Sequence, residues 1–143
     1  MGELPSQRPE DVTILDMEAS IEHLTRGTVR NVDALLAVAE PYYRSLETTG
    51  RIVPLARELG LERVWVVANK VRNERDEAAI REYCARRGFE IVGVVPFDEA
   101  VAEADRLGRA LIDERPTAAA VVAVDALTDI LVDRLGAGAT AGR

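Results

Sequence analysis

Three polar stretches in this chain each follow a run of apolar residues rich in β-branched side chains. They hold the groups best suited to binding or reacting with a ligand. Asp16 closes Val12-Thr13-Ile14-Leu15. A carboxylate in that place can hold a water on Mg²⁺ beside the phosphates of a nucleotide. It equally suits a turn or a helix cap. Asn69 and Lys70 follow Val64-Trp65-Val66-Val67. An Asn amide can accept from the N6 amine of adenine and donate to N7. Proteins that read guanine with an Asn-Lys pair place an Asp two residues later. Here that position is Arg72, a donor only, so guanine is disfavoured. Asn69 also suits a turn at a strand end. The third stretch, Pro96-Phe97-Asp98, follows Ile91-Val92-Gly93-Val94-Val95, and Asp98 can cap a following helix.

Other chemistry is limited by what the chain contains. Lys70 is the single lysine, so a mechanism that needs a lysine uses it or borrows one from another chain. His23 is the only histidine and Cys84 the only cysteine. One cysteine excludes an intrachain disulfide framework and a cysteine-based zinc finger, and the expected compartment is the cytoplasm. The net charge of −7, with no basic stripe, argues against nucleic acid as a partner. No run approaches the roughly 18 apolar residues of a membrane span, and the first twenty residues carry no secretory pattern. A hydrophobic content of 48% with 30% charged residues is that of a globular domain.

The apolar runs are the elements that must position these groups. With Ala34-Leu35-Leu36-Ala37-Val38 they number four, each continuous rather than alternating, as strands covered on both faces are. Helix-length amphipathic segments separate and follow them. The expected fold class is α/β, a mainly parallel sheet with helices on both faces. Ser45 is a candidate cap for a helix stopping at Gly60, with a kink or break at Pro54. Asn73 and Gly88 bracket the next helix, Asp98 and Gly108 the one after, and Thr117 and Gly136 the last. Ligands of such sheets sit at the carboxyl ends of the strands. That places Asp16, the segment from Glu40 to Arg44, Asn69-Lys70 and Pro96-Phe97-Asp98 on one rim.

The run Asp16-Met17-Glu18-Ala19-Ser20-Ile21-Glu22-His23-Leu24-Thr25-Arg26-Gly27-Thr28 resembles the switch II segment of MinD/ParA-type P-loop ATPases. Within them it is nearest to the accessory ATPases that support nickel insertion into carbon monoxide dehydrogenase. Glu40-Pro41-Tyr42-Tyr43-Arg44-Ser45-Leu46-Glu47-Thr48, Asn69-Lys70-Val71 and Val95-Pro96-Phe97-Asp98 continue the resemblance, which covers roughly residues 10 to 113. Two departures stand out. Ser20 occupies the place of the family's switch glycine. The family's P-loop has no counterpart, because G-x-x-x-x-G-K-[ST] occurs nowhere in the chain.

The resemblance implies the C-terminal portion of a P-loop NTPase domain. Residues 1–10 would be a linker or truncated segment, 11–135 the domain portion and 136–143 a disordered tail. It implies ATP and Mg²⁺ as cofactors, with Asp16 the catalytic Mg²⁺ residue acting through water. Asn69, Lys70, Pro96, Phe97 and Asp98 would hold the nucleotide's base. Glu18, Ser20, Glu22 and His23 would relay its state to a partner. The implied partners are a carbon monoxide dehydrogenase or similar client, and a second subunit in a homodimer. ATP hydrolysis is expected of the intact family and not of this chain alone. The alternative is a non-catalytic partner-binding α/β module that has lost its P-loop.

Overall fold

The structure is a computed structural model that describes residues 12–17 and 21–141; side chains are described to 136, that of Ile21 excepted. Three strands form a parallel sheet in the order β1-β2-β3: β1 is Leu35–Ala39, β2 Val64–Val71 and β3 Ile91–Pro96. The helices are α1 (Arg26–Arg30), α2 (Tyr43–Glu58), α3 (Glu74–Arg87), α4 (Glu99–Arg106), α5 (Leu111–Glu114) and α6 (Ala119–Ala141), with a 3₁₀ turn at Ile21–His23.

The continuous apolar run of β2 is explained by burial on both sides. Val64, Val66 and Ala68 join Val53 and Ala56 of α2 and Ile80 and Cys84 of α3 in one core. Trp65 and Val67 meet Val92, Val95 and the Ala120 and Leu127 positions of α6 in the other. Helices therefore cover both faces, as the sequence predicts. In β1 only Ala37 and Ala39 are buried, while Val38 is 57% exposed.

The fourth expected strand is absent. Val12-Thr13-Ile14-Leu15 takes no regular structure, and Val12 and Ile14 are 64% and 87% exposed. A strand exists only by hydrogen bonding to a neighbour. No described strand pairs with this segment, and among the described residues β1 is unpaired on the edge facing away from β2.

Helix punctuation follows local chemistry with three corrections. Asn73 Oδ1 accepts from Asp76 N–H at 2.9 Å, Asp76 Oδ2 accepts from Arg72 N–H at 3.1 Å, and Gly88 ends α3 at φ 71°. Ser45 is not the cap of α2. It lies inside the helix, and its Oγ accepts from Glu40 N–H at 2.8 Å; Tyr42 holds the cap position without a side-chain bond. Pro54 does not break α2, which is continuous from Tyr43 to Glu58. Pro54 is exposed, so the Gly50 carbonyl that loses its usual donor can be served from the solvent side. α6 begins at Ala119 rather than Thr117 and runs past Gly136 to Ala141. Its first turn is tied from outside the helix, because Asp98 Oδ2 accepts from Ala120 N–H at 3.1 Å.

Helices α2 and α3 touch at Gly50. A Cβ built there would collide with Tyr83 Oη, whose ring also carries the Arg87 guanidinium 4.5 Å from its centroid. Gly50→Val is expected to cost about 1–2 kcal/mol by overpacking, read as a lower urea midpoint with an unchanged slope.

Candidate functional site at the carboxyl ends of the strands

The rim is built from three strand ends. β1 stops at Ala39, and Glu40 turns the chain into α2 with its N–H tied to Ser45 Oγ. β2 carries Asn69, half-buried, and Lys70 near its end. Lys70 Nζ lies 2.7 Å from Glu40 Oε1. That hydrogen bond, and then the carboxylate's charge, hold the ammonium above its ordinary range. Lys70 has φ 57°, and the β2–β3 register is irregular between Ala68 and Val71.

β3 delivers the third part. Val71 pairs with Pro96, and Val71 O accepts from Phe97 N–H at 2.9 Å. Phe97 is 42% exposed, and the Arg72 guanidinium sits 4.6 Å from its ring centroid. Asp98 then spends both carboxylate oxygens on backbone. Oδ1 accepts from Ala100 N–H at 3.0 Å at the start of α4, and Oδ2 from Ala120 N–H at the start of α6. These two bonds, Ala120 first, pull the carboxyl below its ordinary range. A lowered carboxylate stabilises the fold above its unfolded value and loses that contribution as pH falls. Stability is therefore expected to fall with acidification below about pH 3.8, and Asp98→Asn should flatten that part of a pH series of thermal melts.

Asn69, Lys70, Pro96, Phe97 and Asp98 are thus brought together on one rim. They include a half-buried amide at Asn69 and an accessible aromatic face at Phe97, two groups of the kind that bind a base. Lys70, the chain's single lysine, is paired with Glu40. Glu40 is expected on the rim from the sequence, but its pairing with Lys70 is not.

Asp16 is exposed in an irregular segment. Glu22 and His23 lie in the short 3₁₀ turn, and His23 O accepts from Thr28 Oγ1 at 3.1 Å. Glu18 and Ser20 lie outside the described residues. Among the described residues no group of three or more His, Cys, Asp or Glu side chains could hold a metal, and no helix is long and apolar enough to cross a membrane. Cys84 is buried, and burial pushes its thiol up, so it packs as an apolar group. A hollow of about 520 Å³ opens between α1 and the last turn of α2, lined by Arg26, Arg30, Glu58, Leu59 and Leu61. It is at the opposite end of α2 from the rim, roughly 24 Å away at 1.5 Å per residue.

No protein-family model matches the chain. It is 38% identical over 127 residues to the carbon monoxide dehydrogenase accessory protein CooC of Rhodospirillum rubrum, covering 89% of this chain and 47% of that protein. It is 44% identical over 100 residues to an ATP-binding protein of Methanocaldococcus jannaschii, covering 70% of this chain and 39% of that one. The chain spans less than half the length of these curated relatives. A chain of the MinC:MinD cell division protein complex of Aquifex aeolicus shares the fold at a TM-score of 0.66 and 19% identity, over 79% of this chain and 48% of that one. With a parallel sheet whose strand ends carry an Asn-Lys pair and a Pro-Phe-Asp turn, and with these relatives, the chain is similar to part of a MinD/ParA-type P-loop ATPase and shares that fold.

Proposed function

We propose that this chain forms the base-binding and switch side of an ATP-dependent accessory protein that inserts nickel into a carbon monoxide dehydrogenase. The observation that carries the reading is the convergence of Asn69, Pro96 and Phe97 at the carboxyl ends of β2 and β3. Open parallel sheets bind ligands there. The identity with an accessory protein of carbon monoxide dehydrogenase supports the client.

In this reading Asn69 pairs with the adenine edge through its amide, and Pro96 and Phe97 flank the base. Asp98 sets the turn that carries them, through its two backbone bonds. Asp16 holds a water on Mg²⁺. Glu18, Ser20, Glu22 and His23 report the nucleotide state to the client. Cleavage of a bound ATP supplies the free energy for that cycle, in a homodimer. The phosphate contacts come from a P-loop outside these 143 residues, which contain no G-x-x-x-x-G-K-[ST].

A first consequence is weak binding by the chain alone. Base contacts without phosphate contacts leave ATP no tighter than about millimolar, roughly −4 kcal/mol. A micromolar dissociation constant in a calorimetric titration would refute the external P-loop.

The function is tested by a chimera. Residues 12–135 replace the matching segment of the Rhodospirillum rubrum accessory protein, in cells that make a carbon monoxide dehydrogenase. The expected result is nickel-loaded, active enzyme, with loading lost in the Asn69→Ala chimera. Loading that survives Asn69→Ala would favour the alternative, a partner-binding module without nucleotide chemistry. A folded chimera that loads no nickel at all would sink the maturation role.

A further inference from the structure

The Glu40–Lys70 ion pair joins two of the strand ends that make the rim, and three separate features meet in it. Lys70 is the one non-glycine residue at positive φ among the described residues. That conformation is unfavourable for a residue with a Cβ and persists where its surroundings hold it. It falls where the β2–β3 register slips between Ala68 and Val71, and such bulges re-aim neighbouring side chains. Glu40 is itself anchored, because its N–H donates to Ser45 Oγ inside α2. The pair therefore runs from a fixed helix start to an irregular strand end, immediately beside Asn69.

We propose that Glu40 and Lys70 are positioning residues for base recognition: their ion pair locks the bulge from which the Asn69 amide projects. The inference rests on the adenine-site reading of Asn69 and deepens it. An ordinary surface ion pair between side chains this exposed, 50% for Lys70 and 30% for Glu40, contributes little to anything. The difference lies in what each side chain is attached to. Removing either charge frees a backbone conformation that lysine does not favour, and Asn69 is the next residue along.

The test uses adenosine, which offers the base without phosphates, titrated into the isotopically labelled chain. Glu40→Gln and Lys70→Met should each weaken adenosine about tenfold, and the double variant no more than either alone, because they break one interaction. Lys70→Arg, which keeps the charge, should bind nearly as the parent does. Without any ligand, amide exchange at Asn69 and Val71 should quicken in Glu40→Gln and Lys70→Met, while protection at Ile80 stays unchanged. Unaltered adenosine affinity in both variants, with binding lost in Asn69→Ala, overturns the positioning role and leaves the adenine site standing. Losses that add in the double variant overturn it as well. Adenosine binding that Asn69→Ala does not change, or no adenosine binding at all, overturns the adenine site and this inference together.

Discussion

Ile80→Ala is expected to lower the stability of the chain by roughly 2–5 kcal/mol. Ile80 is fully buried and is the largest such side chain, packed with Val53, Val66 and Cys84 between the sheet and α2 and α3. Truncation removes the transfer free energy of three carbons and leaves a cavity between a sheet and two helices that cannot all collapse into it. Domains of this size hold only about 5–15 kcal/mol in total. β1 has an open edge and leaves one face partly exposed, so a value toward the low end is expected here. The check is a urea titration followed by circular dichroism. A midpoint shift equivalent to less than about 1 kcal/mol would mean that the core between β2 and α3 is not the packed unit described.

Asn69→Ala is the second large effect. In the chimera that supplies a P-loop, it should weaken ATP by about 1–3 kcal/mol, five- to 150-fold, since a desolvated base edge is left without its partner. GTP should compete poorly with the parent protein, because Arg72 offers only donors where guanine needs an acceptor. Fluorescent-nucleotide displacement reads both. Equal affinity for ATP and GTP would show that Asn69 does not read the base.

Much of the fold is legible in the residues. The run in β2 is continuous because helices cover both of its faces, whereas the equally continuous run of β1 leaves Leu36 and Val38 exposed; the helix punctuation by Asn73, Gly88 and Asp98 is local chemistry. Val12–Leu15 reads the same way and forms no strand. Apolar pattern reports what a segment would bury, whereas pairing depends on a neighbouring strand that pattern does not contain. Ser45 illustrates a related limit: a serine near a helix start serves equally as a cap or, as here, as an acceptor one turn in for a preceding N–H.

For the site, the rim residues were legible as strand-end motifs, and their linkage was not. Glu40 and Lys70 are thirty residues apart, and Asp98 reaches Ala120 across twenty-two. Which carboxylate meets which donor follows from strand order and helix placement. Asp98 accordingly reads from sequence as a base contact or a cap, while its two oxygens are taken by the starts of α4 and α6. That places its contribution in the turn that carries Phe97.

The central claim is that the carboxyl-end rim of β2 and β3 receives adenine. It is tested most directly by following backbone amide resonances of the labelled chain during titration with adenosine, with guanosine as the control. The expected result is saturable shifts concentrated at Asn69 to Arg72, Phe97 and Asp98, with guanosine causing little change. Shifts confined to the hollow between α1 and α2, or equal responses to both nucleosides at the rim, would contradict it.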